Sequence, residues 1–127
     1  MQMSVGAVHY RNLQVWSRSL DWAEAIYEAT VHWPRDERFG LISQVRRAAV
    51  SVASNIAEGA ARRTTGEFIQ FVGVARGSLA EAETQLILAL RLNYIPEPDA
   101  RALLGGSDEI SKMLAALAAS LARRREG

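Results

Sequence analysis

Seven apolar residues, Phe68, Val72, Ala75, Leu79, Ala82, Leu86 and Ala89, follow one another at alternating spacings of four and three. No strand presents such a row, because its side chains alternate with period two. On a helix the row is a seam three heptads long, suited to shallow packing against other helices. Thr64 or Thr65 is placed to cap this helix, and Thr64 with Glu67 fits a capping box. Gly73 and Gly77 lie four apart on one face, where a neighbouring backbone is expected to approach closely.

Three more helices follow from the same reasoning. Asn12 is a cap for the first, with a stripe of Leu13, Trp16, Leu20, Ala23, Tyr27 and Thr30 ended by Pro34. After the polar connector Arg35–Gly40, the second starts near Phe39–Leu41. It carries Leu41, Val45, Ala48, Val52 and Ile56, with Ala49 beside them, and Gly59 as its C′ residue. Pro96 and Pro98 bracket a loop, and Pro98 begins the fourth helix. Gly105-Gly106 is expected to interrupt it, Ser107 or Asp108 to recap it, and Ile110, Leu114, Leu117 and Leu121 to form its stripe. Arg123–Arg125 complement the dipole at its C-terminus. The fold class is all-α, an antiparallel up-down-up-down four-helix bundle. Residues 1–11 are expected to be a flexible N-terminus, 12–123 one domain and 124–127 a basic tail; 127 residues hold one core, not two.

Composition narrows the chemistry. The chain has no cysteine, which excludes disulfides, thiolate metal sites and cysteine catalysis and fits a reducing compartment. There is no signal-peptide pattern and no apolar run long enough for a membrane span, so a cytoplasmic location without membrane partners is expected. His9 and His32 sit in terminal positions without metal-ligand spacing, and no histidine is placed to activate a serine. Glu81 and Glu83 point to different sides of a helix, and Gly73–Gly77 lacks the ending of a phosphate loop. No catalytic, metal or cofactor residue is assigned, and the chain is read as a non-enzyme.

Charge is uneven although the net charge is only +1. Arg46, Arg47, Arg62 and Arg63 face Glu58 alone between positions 41 and 63, and acidic residues prevail from 64 to 99. Lys112 is the only lysine, so positive charge is almost entirely guanidinium, suited to carboxylate or phosphate. Arg46, Arg47, Arg62, Arg63 and Arg123–Arg125 are candidate phosphate contacts, against the alternative of solubility, salt bridging and dipole compensation. Gln44, Arg47, Ser51, Asn55 and Glu58 form a polar stripe on the second helix, and Ser78, Glu81 and Gln85 on the third. With Gly77, these short polar residues suit a helix crossing or a subunit contact. Glu58 is set to pair with Arg47 or Arg62. Trp16, Trp22, Phe68 and Phe71 are expected in core or interface rather than as stacking platforms, and Trp33 in either role.

The order GL-x2-Q-x-RRAA-x-S-x3-NIAEG (Gly40 to Gly59), R-x3-EF-x2-F (Arg63 to Phe71) and A-x-GSL-x-E-x2-TQL (Ala75 to Leu86) resembles four-helix bundle proteins related to bacterial rRNA intervening-sequence proteins. Leu13, Val15-Trp16, Tyr27, Thr30, Pro34 and Phe39-Gly40-Leu41 fit as well, and the likeness covers roughly Tyr10–Leu121. The same superfamily includes the accessory variability determinant of diversity-generating retroelements. The resemblance implies a four-helix bundle that self-associates, with pentameric rings as the known assembly, and mostly without assigned activity. The retroelement member binds nucleic acid and a reverse transcriptase through a strongly basic surface, from which a net charge of +1 departs. Two readings stand: an oligomeric bundle binding RNA or DNA through arginines, or a structural protein-interaction scaffold.

Overall fold

The computed structural model describes residues 9–126. Four helices follow in order: α1 (Gln14–Thr30), α2 (Leu41–Ala60), α3 (Thr65–Arg91) and α4 (Glu97–Glu126). Short 3-10 turns at Tyr10–Asn12 and Arg35–Glu37 precede α1 and α2. Packing runs round the bundle, α1 on α2, α2 on α3, α3 on α4 and α4 back on α1. Cross-helix contacts fall in opposite chain order. Ser51 meets Ser78 while Gly59 meets Phe68 and Phe71, and Arg18 meets Glu109 while Trp22 meets Leu103. Such pairings are those of antiparallel neighbours.

The seam on α3 is the spine of the core. Phe68, Val72, Ala75, Leu79, Ala82, Leu86 and Ala89 are all buried, opposite Val45, Ala48, Ala49, Val52 and Ile56 of α2. Thr64 caps α3 as its spacing indicates. Its hydroxyl accepts from the Glu67 amide at 3.1 Å and donates to the Glu67 carboxylate at 3.0 Å. At the other end of α3, Asn93 takes φ 62°, the Asn93 amide bonds Leu90 and the Tyr94 amide bonds Ala89. These are the two bonds of a Schellman stop, with asparagine in the left-handed place usually held by glycine.

Several expectations are corrected. Asn12 lies in the 3-10 turn, and α1 is preceded by Leu13 without a side-chain cap. α1 ends at Thr30, before Pro34, where the Thr30 hydroxyl turns back to the Ile26 carbonyl at 2.8 Å. The stripe on α1 is rotated: Val15, Ser19, Trp22, Ala23, Ile26 and Thr30 are buried, whereas Leu20 and Tyr27 are 43% and 44% exposed. Gly59 is inside α2 rather than after it; a Cβ there would stand 2.7 Å from the Phe71 Cβ and 2.9 Å from the Phe68 ring. The glycine lets α3 approach.

α4 runs unbroken through Gly105-Gly106, and Ser107 is buried rather than a cap. Gly106 faces Trp22, whose ring would lie 2.9 Å from an added Cβ and whose Nε1 donates to the Leu103 carbonyl at 2.8 Å. Packing against α1 outweighs the weak helix propensity of the glycine pair. The helix also continues through Arg124 and Arg125, so most of the expected tail is helical. The expected flexible segment 1–11 lies outside the described residues as far as position 8, and Tyr10 and Arg11 belong to the 3-10 turn.

Gly73 and Gly77 do not admit a neighbour among the described residues, none of which stands within 4 Å of a Cβ added at either. Gly73→Ala and Gly77→Ala should therefore each raise stability by up to about 1 kcal/mol, through helix propensity alone. Thermal melts of dilute protein check this; a lowered midpoint would mean that something packs closely there.

Candidate nucleic-acid interface

The turn between α2 and α3 carries Arg62 and Arg63, and the last turns of α4 carry Arg123, Arg124 and Arg125. Both sets follow helix C-termini, where cations offset the partial negative charge of unpaired carbonyls. Antiparallel packing brings the sets together. A Cβ at Gly66, in the first turn of α3, would lie 3.2 Å from the Arg125 guanidinium carbon. Arg11 reaches the same end, because Tyr10 borders Ala57 and Glu58 at the close of α2. Among the described residues, the carboxylates nearby in chain and fold are Glu58 and Glu67. Positive charge therefore dominates one tip of a bundle whose overall charge is +1.

Within this tip the arginines differ. Arg62 pairs with Glu58 at 3.3 Å, and its guanidinium lies 4.8 Å from the Phe71 ring centre. That contact holds the head group against α3 while the side chain stays exposed. Arg63 and Arg123 are exposed and have no ion pair or hydrogen bond among the described residues. A phosphate run would meet both held and free guanidinium groups.

Arg46 and Arg47, grouped with Arg62 and Arg63 by sequence, are elsewhere. They sit about four helical turns back along α2, roughly 20 Å away. Arg46 is committed inward: its Nε donates to the Thr30 hydroxyl at 2.8 Å, its Nη2 to the Tyr27 carbonyl at 3.3 Å, and it lies 4.5 Å from the Tyr27 ring centre. It closes the C-terminus of α1 on α2. Arg47 is exposed and apart from the tip.

The polar stripes separate likewise. Ser51 and Ser78 share a hydrogen bond of 2.8 Å between α2 and α3, and the Asn55 amide donates to the Ser51 carbonyl and hydroxyl at 2.8 and 2.9 Å. These three stitch a helix crossing inside one chain. Gln44, Glu58, Gly77 and Glu81 are exposed and outside the stitch, although Glu81 accepts from Gln85 at 3.4 Å. Glu58 chooses Arg62, not Arg47.

The opposite tip is tied by a carboxylate. Glu37 accepts from the Leu41 amide at 3.1 Å, capping α2, and from the Tyr94 hydroxyl at 2.9 Å. The amide bond and then the Tyr94 bond hold its carboxyl below the ordinary value of 4.5. The same bond raises the Tyr94 phenol. A lowered carboxyl contributes stability fully above its unfolded value and loses it as pH falls through the folded one. The stability gap between wild type and Glu37→Gln should therefore close as pH drops below 4.5. Urea midpoints measured from pH 7 to pH 3 check this, and a gap independent of pH would contradict it.

Among the described residues no group of three or more His, Cys, Asp or Glu is placed to hold a metal, and no helix is long and apolar enough to cross a membrane. The sequence model of the family described as 23S rRNA-intervening sequence protein matches residues 11–116. A comparison with curated proteins finds no match. Among solved structures, the chain is similar to a protein of unknown function from the S23 ribosomal protein family of Bacteroides thetaiotaomicron. The two are 27% identical with a TM-score of 0.74, over 82% of this chain and 97% of that one.

Proposed function

We infer that the chain, which belongs to the 23S rRNA-intervening sequence protein family, is a non-enzymatic RNA-binding bundle that holds phosphates at its arginine tip. The observation that carries this reading is the convergence of Arg62 and Arg63 with the α4 arginines, marked by Arg125 lying against Gly66. Five guanidinium groups, those of residues 11, 62, 63, 123 and 125, then act as the phosphate clamp. RNA is the ligand tested first, although the family's description names an intervening sequence of 23S rRNA and no ligand. The test is a titration of labelled structured RNA and duplex DNA from 50 to 200 mM salt. Affinity for RNA should fall steeply with salt. Absence of salt-sensitive binding at micromolar protein sinks the reading, and a preference for DNA changes its ligand.

Self-association is a second, compatible reading, favoured by the outward face of α3. Gly73 and Gly77 leave open space there, and Val74 and Leu88 beside them are 51% and 46% exposed. A second copy packed on this face would cover them; the number five rests on the family resemblance alone. Light scattering should show an oligomer that Gly77→Arg dissociates. A wild-type monomer at high concentration would overturn this.

A further inference from the structure

A cleft of about 480 Å³ opens between α1 and α2 beside the arginine tip. That size is in the range of small-molecule sites. Its floor is aliphatic, with Leu20 and Val50 among the lining residues, and Tyr10 and Trp16 form an aromatic wall. The two rings meet edge to face at 5.1 Å, His9 stacks on Tyr10 at 4.9 Å, and Arg11 lies 5.7 Å from the Tyr10 ring centre. The polar groups lining the cleft include the Ser54 hydroxyl and the Glu58 carboxylate, both on exposed residues. Glu58 is the residue that pairs with Arg62, so the cleft is continuous with the phosphate clamp.

The ligand such a site fits has a flat face for stacking, hydrogen-bonding edges and an attached negative charge. An unpaired nucleotide has all three. A base inside a duplex does not, because its faces are already stacked. An aliphatic helix from another protein would fill the floor but leave the adjoining arginines without partners. We propose that the α1–α2 cleft takes an unpaired base of the RNA whose phosphates lie on the arginine tip. The Trp16 ring stacks on the base with Tyr10, set at 68° to it, walling the base's edge, Glu58 accepts from an exocyclic amine, and Ser54 bonds a second edge atom. The inference rests on the RNA-binding reading and adds to it a selection for loops, bulges or single-stranded ends.

The experiment compares two labelled RNAs of equal length and charge, a hairpin with an unpaired loop and a fully paired duplex. Wild type is set beside Tyr10→Ser, which removes one aromatic wall of the cleft, and Ala57→Leu, which fills it. Folding of each is checked by circular dichroism; Tyr10 stands before α1 and decides the matter if Ala57→Leu does not fold. Wild type should bind the hairpin about tenfold more tightly than the duplex, with quenching of tryptophan fluorescence from Trp16. Both variants should bring hairpin affinity down to the duplex level, and Ala57→Leu, which replaces no residue of the clamp, should leave duplex affinity unchanged. Equal affinity for the two RNAs, unmoved by either variant, overturns the cleft while leaving the phosphate clamp intact. Failure of both RNAs to bind in a salt-sensitive way overturns clamp and cleft together. If the variants change the assembled mass and leave RNA discrimination alone, the cleft is a seam between copies and the inference is wrong.

Discussion

Replacing Arg63, Arg123 and Arg125 together by glutamine should remove most of the salt dependence of RNA binding. With five phosphate contacts to a single strand, log affinity falls against log salt with a slope of about −3.5, roughly a hundredfold loss between 50 and 200 mM. Two remaining contacts, from Arg11 and Arg62, leave a slope of about −1.4 and a loss of only about sevenfold. Anisotropy titrations over that salt range measure the slope directly. Arg46→Gln is the contrasting substitution. Because Arg46 is bound to Thr30 and Tyr27, losing it should lower the melting temperature and leave the slope alone. A triple variant whose slope equals that of wild type would show that phosphates lie elsewhere.

Gly59 is the position where one methyl group should do most damage to the fold. Alanine ordinarily gains about 1 kcal/mol over glycine in a helix. Here its Cβ would meet the Phe71 Cβ at 2.7 Å and the Phe68 carbonyl oxygen at 3.3 Å. Two of the three nearest atoms are part of α3's backbone or fixed to it, so relief requires the helices to separate. Overpacking of this kind costs about 1–3 kcal/mol, enough to reverse the propensity gain. Gly59→Leu should cost more, on the order of 4 kcal/mol, because the extra volume also has nowhere to go. Urea unfolding followed by circular dichroism gives the midpoints, and an unchanged midpoint for Gly59→Leu would refute the close approach. Arg62 should suffer too, since its resting place on Phe71 moves with α3.

The helices that sequence describes best are those whose apolar residues form one unbroken stripe at helical spacing. α2 and α3 carry a single clear stripe each, and both stripes are buried as their spacing implies. α1 has two plausible faces, Val15–Trp22–Ile26 and Trp16–Leu20–Tyr27, and periodicity does not choose between them. The choice is made by α4, whose Gly106 and Leu103 receive Trp22. The same contact explains why a glycine pair fails to break α4. Local signals marked it as a stop, and tertiary packing kept it helical.

The site was half legible. Arg62-Arg63 and Arg123–Arg125 stand out along the chain, but their meeting is a product of bundle closure. Arg46 adjoins Arg47 in sequence and lies on a different side of the helix, so a pair of adjacent arginines was never one patch. The role of Arg11 and Tyr10 depends on where the chain enters α1, for which no local pattern exists. Ser51, Asn55 and Ser78 were legible as contact-makers because short hydrogen-bonding side chains recur at helical spacing. The closure of their bonds within one chain needed the crossing itself.

The length of α4 has a consequence of its own. Thirty residues of helix make a rod roughly 45 Å long, and Arg123–Arg125 occupy its last turns, far from Arg101, which pairs with Glu97 at the other end. On the RNA-binding reading proposed above, a rod that grips by its tip would stand upright on the strand and leave its flanks clear. Neighbouring rods on one RNA then sit side by side, each raising the effective concentration of flank presented to the next. On such an arrangement the nucleic acid would act as a template for assembly, reinforcing the flank-to-flank contacts of rods that share a strand.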